Sequence, residues 1–146
     1  MTGSDSTGER SIWKDRRVVL STLWIFVVLN FLYADVFGLV FDPAATETVD
    51  MSAGLVLFFA AIMETSMAMV LLCRVLPRGW NRWTNIGAAV LHIAVLAWSL
   101  EGGATSFYTF FVTVEIATLL FVIGYAWSWR PKSATEPLAV RRAAVR

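Results

Sequence analysis

Cysteine is almost absent: Cys73 is the only one in 146 residues. That excludes an intrachain disulfide and any CxxC redox or zinc motif within one chain. There is no Gly-rich phosphate loop. There is also no aromatic-interleaved basic patch of the kind that reads nucleic acid, so no nucleic-acid partner is expected. Histidine is as scarce, with His92 alone. Lys and Arg are missing altogether from two stretches, 41–50 and 101–106.

Apolar residues are abundant. The chain is 58% hydrophobic with a mean hydropathy of +0.65, against about 45–50% apolar in a typical soluble domain. The excess sits in four blocks, 18–40, 51–76, 83–100 and 107–129. At ~1.5 Å rise per residue these helices are roughly 27–39 Å long, and a hydrocarbon core is about 30 Å thick. The pattern predicts an all-α membrane protein: a four-transmembrane-helix, up-down-up-down bundle in the cell (plasma) membrane. Residues 1–17 read as a disordered arm ending in an interfacial anchor with Trp13. Residues 18–130 are the transmembrane domain, and 131–146 a basic tail. Block one is too long for a signal-peptide core of about 7–15 residues, and no small-x-small cleavage site follows it. It reads as a retained span. Proline punctuates the blocks: Pro43 and Pro131 stop helices, and Pro77-Arg78-Gly79 makes a turn. Asp50 or Ser52 can cap block two, and Thr105 or Ser106 block four.

All 12 Lys and Arg fall in the arm, around the second loop and in the tail. With four spans these segments share one side, and the positive-inside rule places both termini in the cytoplasm. Arg141, Arg142 and Arg146 in the tail are expected to meet anionic lipid headgroups. The opposite side carries Asp42, Glu47, Asp50 and Glu101 and no base.

The candidate chemistry lies inside the spans. Aligning the blocks brings Asn30, Glu64, His92 and Glu115 to within roughly one helical turn of a common depth. A charged carboxylate at the midplane costs at least ~2.5 kcal/mol on insertion scales, so Glu64 and Glu115 call for partners or a function. Asn85, His92 and Ser99 share one face of block three. Tyr108, Glu115, Thr118 and Tyr125 share one of block four. Asn30 is placed in a stripe with Phe26, Tyr33 and Phe37. Glu64 is flanked by Ala60, Ala61, Met67, Ala68 and Leu71, small and soft residues that suit close helix packing. Asp35, Tyr33 and Tyr108 are assigned to the outer mouth of the resulting polar cluster. Read structurally, each polar group is helix glue, and Met63, Met67 and Met69 are core packing.

Two Glu, one His and one Asn suit Zn, Mn or Fe, without an ExxH or HExxH spacing to make the set specific. A heme would need Met67 or a second subunit opposite His92. The cofactor is therefore left open.

The chain resembles a family of small bacterial four-helix membrane proteins known only as a domain of unknown function. The resemblance rests on LWIFVVLNFLYADVFGL, AAIMETSMAMVLLCRVLPRGWNRWTNI, LHIAVL, FFVTVEI and GYAWSW. It implies the four-helix membrane fold and no activity. The family pattern has a proline after Met-Glu in the second span. Here the run is Met63-Glu64-Thr65-Ser66, and Thr65 or Ser66 can bend the helix by bonding back to a carbonyl.

The leading expectation is proton-coupled transport of a small solute or ion through the carboxylate/His cluster. Four spans are few, so a homodimer is expected. A noncatalytic structural or accessory subunit is the alternative. A membrane enzyme on a lipid-like substrate, using Glu64, Glu115 and His92 as acid/base groups, ranks behind both for want of any nucleophile motif.

Overall fold

The computed structural model describes residues 15–42, 52–101 and 104–129. It contains four helices: α1 (Arg16–Phe41), α2 (Ala53–Val75), α3 (Arg78–Ser99) and α4 (Ser106–Trp127). The arm up to residue 14, Glu47 and Asp50, and the tail arginines Arg141, Arg142 and Arg146 lie outside the described residues.

Each helix start follows from local chemistry. Asp15 caps α1, its Oδ1 accepting from the Arg17 amide at 3.0 Å. Ser52 caps α2, its Oγ accepting from the Leu55 amide at 3.3 Å. Thr105 is the N-cap of α4 and makes no side-chain cap bond. The turn between α2 and α3 is tighter than the sequence suggests. Proline disfavours helical geometry in the residue before it. Leu76 and Pro77 are both extended, and α3 starts at once at Arg78. Trp80, Asn81 and Arg82, expected to precede the third span, therefore lie in the first turns of α3.

Cross-helix bonds fix the directions. The start of α1 meets the ends of α2 and α4: Arg17 donates to the Arg74 carbonyl at 3.2 Å, and Arg16 to Ser128 Oγ at 2.8 Å. The start of α4 meets the end of α3, where Tyr108 donates to Ser99 Oγ at 2.9 Å. Neighbours are antiparallel and close a ring in the order α1–α2–α3–α4, with α1 against α4. The α2–α3 seam is the loosest of the four. The core holds Leu20, Trp24 and Val27 of α1, Met69 and Cys73 of α2, Ala88, Ala89 and Leu96 of α3, and Val112, Leu119 and Val122 of α4.

The outward faces are apolar as well, with Leu32, Leu57, Leu71, Val90, Phe110, Leu120 and Phe121 all exposed. Three helices, α1, α2 and α4, are long and apolar enough to cross a membrane. This differs from the expectation of four such segments. The reason is α3, whose inward stripe is Asn81, Asn85 and His92 with Ala88 and Ala89. It is polar toward its neighbours and apolar outward, the reverse of a helix on a soluble core.

Candidate functional site

The polar side chains inside the bundle separate into two groups. The first is a ladder that ties α3 to α2 and α1. Asn81 Nδ2 donates to the Cys73 carbonyl at 2.6 Å, and Asn85 Nδ2 to Asn81 Oδ1 at 2.6 Å. Asn85 Oδ1 accepts from Trp24 Nε1 at 2.8 Å and from Cys73 Sγ at 3.3 Å. Two turns on, His92 is fully buried. Its Nδ1 lies 2.8 Å from the Ala88 carbonyl, so the proton belongs on Nδ1. Its Nε2 then accepts from Ser66 Oγ at 2.6 Å. The edge of Trp24 and the ring of Phe31 enclose the imidazole, at centroid distances of 5.4 and 6.0 Å.

The second group is Asn30 with Glu115, 8% and 2% exposed. Asn30 Nδ2 donates to the Phe111 carbonyl at 3.1 Å and to Glu115 Oε2 at 3.4 Å. The other carboxyl oxygen, Oε1, is buried and has no hydrogen-bond partner among the described residues. Native proteins rarely leave such an atom unpaired. Glu115 lines a partly open cavity of about 710 Å³. The walls come from the last half of α1, the first half of α2, the end of α3 and the first half of α4. Phe31, Phe59, Trp98 and Phe111 supply one aromatic ring from each helix. Asp35 and Tyr108 also line it, and Tyr108 is held by its bond to Ser99. Among the lining residues on α4, Glu115 is the farthest from the α3–α4 connection.

The single cluster of Asn30, Glu64, His92 and Glu115 therefore does not form. Asn30 and Glu115 are joined. The bonds of His92 run to Ser66 of α2 and to the Ala88 carbonyl of its own helix. Glu64 is exposed on the outside of α2 together with Ala60, Ala61, Met67 and Leu71. The buried stripe of that helix is Ile62, Ser66, Met69 and Cys73, and Glu64, two residues from both Ile62 and Ser66, points roughly the opposite way. The Asn30 stripe is also rotated: it packs with Val27 and Ala34, while Phe26 and Tyr33 are exposed. Tyr33 is consequently absent from the cavity wall, whereas Asp35 and Tyr108 belong to it. Thr65 does bond back to the Ala61 carbonyl, at 2.8 Å, and α2 nevertheless runs unbroken.

Sequence reasoning missed Trp24, Ser66 and Asn81. The 4-3-4 spacing of Asn81, Asn85, Ala88 and His92 was the available signal for Asn81. Among the described residues no group of three or more His, Cys, Asp or Glu could hold a metal ion. Both ring nitrogens of His92 are occupied by protein groups, and Met67, its suggested partner on a heme, is exposed.

Residues 11–135 match the family of unknown function DUF6326. The chain belongs to that family. No curated protein and no solved structure matches it.

Proposed function

We propose that this DUF6326 protein is a multi-pass protein of the cell membrane, with four spans and both termini in the cytoplasm, that couples proton movement to transport of a small solute or ion. The observation that carries the transport reading is Glu115: a buried carboxyl group that lines a cavity large enough for a ligand and has one oxygen, Oε1, without a partner among the described residues. Ionisable groups inside bundles commonly mark ion and proton pathways. Asn30 holds one carboxyl oxygen and leaves the other for an exchangeable proton or a ligand.

The membrane reading is supported by three apolar helices and by the apolar outward faces. The fourth helix, α3, spans with its polar stripe turned inward. The 12-to-0 division of Lys and Arg between the two sides supports cytoplasmic termini. Arginine and tryptophan at one end suit an interface: Arg82 lies 4.7 Å from the Trp127 ring centroid. Tail residues Arg141, Arg142 and Arg146 are assigned to anionic lipid on the same side.

A homodimer is part of this reading. Glu64 faces outward at mid-helix, where contact with hydrocarbon costs at least ~2.5 kcal/mol. A second copy placed on the same α2 face covers Glu64 with its counterpart, and Ala60 and Ala61 permit close approach.

The test is pH-driven flux in proteoliposomes. Wild type carries it and Glu115→Gln reduces it to background. Flux indifferent to that substitution overturns the proposal. A structural or accessory role is the second reading, favoured by the Asn81–Asn85–His92 ladder, whose side chains all have partners. It predicts that Glu115→Gln, which keeps hydrogen-bonding capacity, leaves any cellular phenotype intact. The enzyme reading requires His92 beside Glu115, and its bonds run elsewhere.

A further inference from the structure

We propose that the cavity is a binding site for a lipophilic organic cation, a protonated amine or an onium ion, whose positive charge rests on Glu115. This rests on the transport reading of the same site and names its substrate class.

Three independent features converge on that class. The first is size and surface. A cavity of about 710 Å³ lies in the range of small-molecule sites, about 300–1,000 Å³. Its lining is dominated by apolar side chains, and one aromatic ring from each helix faces it: Phe31, Phe59, Trp98 and Phe111. Aromatic faces carry partial negative charge and attract cations. A small hydrated metal ion would gain nothing from such walls, whereas a bulky apolar cation gains on both counts.

The second is sign. Among the described residues the cavity is lined by two carboxyl groups, Asp35 and Glu115, and by no Lys, Arg or His. The adjoining end of the bundle continues the pattern. Asp42 follows α1 and Glu101 follows α3, and the two connecting segments contain no base. The field over the mouth is negative and gathers cations. An anion would meet two carboxyls without a counter-charge.

The third is the unmet bond. Glu115 Oε1 has no partner among the described residues while Oε2 is held by Asn30. A protonated amine or an onium ion held in the cavity beside Glu115 compensates the carboxylate through charge.

Docking and deprotonation then balance. The carboxylic acid of Glu115 releases its proton to solvent, and the carboxylate pairs with the incoming monovalent cation. One positive charge leaves and one arrives, so the buried site gains no net charge. Cation and proton compete for a single carboxyl group.

The test uses the full chain in detergent, with tetraphenylphosphonium as probe and tetraphenylborate as its anion of the same shape. Calorimetry and equilibrium dialysis measure binding, and a weakly buffered solution with a pH indicator measures proton release. Wild type binds the cation saturably, releases a proton on binding and ignores the anion. Glu115→Gln weakens the cation by about tenfold or more and releases no proton. Glu64→Gln, on the outer face, changes neither. Circular dichroism and size-exclusion elution identical to wild type show that the variants are folded. Asp35→Asn, at the surface of the site, is a second probe and weakens the cation while keeping the proton release. Equal binding of cation and anion, or wild-type binding by Glu115→Gln, overturns the proposal. Cation binding without pH-driven flux upholds this site and removes the carrier reading. Flux that depends on Glu115 without cation binding upholds the carrier and removes this substrate class.

Discussion

The two ends of the bundle solve the same packing problem in opposite ways. At the end of the α2–α3 turn, Asn81, Asn85, Cys73 and Trp24 join three helices through direct side-chain bonds. At the other end the same helices separate around a cavity walled by aromatic rings. The asparagine amides of the first region are used up by one another and by neighbouring groups, and Arg82, whose Nε has no hydrogen-bond partner among the described residues, rests on the Trp83 and Trp127 rings. In the second, a carboxyl oxygen has no partner among the described residues. A polar residue between helices is therefore not evidence of function by its presence. What distinguishes Glu115 from Asn85 is the bond it does not make.

That contrast can be broken by substitution, and the largest expected effect is functional. Glu115→Gln abolishes pH-driven flux in proteoliposomes while leaving the unfolding transition close to wild type. If stability falls and flux persists, the two regions do not differ in kind. Asn85→Leu does the converse. It strands Trp24 Nε1 and Cys73 Sγ and removes the donor to Asn81, and costs about 2 kcal/mol in an unfolding titration. Any flux measured on the folded fraction is retained. His92→Leu is expected to cost about 1 kcal/mol, since it removes the Ser66 bond and the packing of the imidazole against Trp24 and Phe31. Flux lost in that variant would tie the ladder to transport. The smallest effect concerns the outer face of α2. Ala61→Cys cross-links two chains in membranes and Leu120→Cys, on α4, does not. Glu64→Gln leaves that cross-link almost unchanged, because Gln keeps the hydrogen bonds.

Much of the frame was legible in the residues. The cap at Ser52 follows from local chemistry. The inward face of α3 was legible because it is marked: Asn85 and His92 stand seven apart with alanines between them, and both are buried. Helix α2 offered no such mark. It is apolar on every side, so periodicity does not choose a face. Glu64 was drawn inward only by depth, and depth says nothing about azimuth. The Asn30 stripe was misread for the same reason, because Phe26 and Val27 are equally apolar neighbours. Asn81 was lost with the Pro77 turn, whose two extended residues are shorter than a Pro-Arg-Gly loop. The cavity itself is a property of how far four helices stand apart, and no single helix encodes that distance.

The bond from Arg16 to Ser128 joins residues 112 apart in sequence. The Asn81–Cys73 bond across the α2–α3 turn spans only 8. Contacts between near neighbours in sequence form with little loop-closure cost, and distant ones form late. Of the two, the α2–α3 turn thus closes the less chain and the α1–α4 seam the more. The two ends of the bundle therefore differ in chain distance as well: the Asn81–Cys73 bond closes within 8 residues, whereas the Asn30–Glu115 bond joins residues 85 apart.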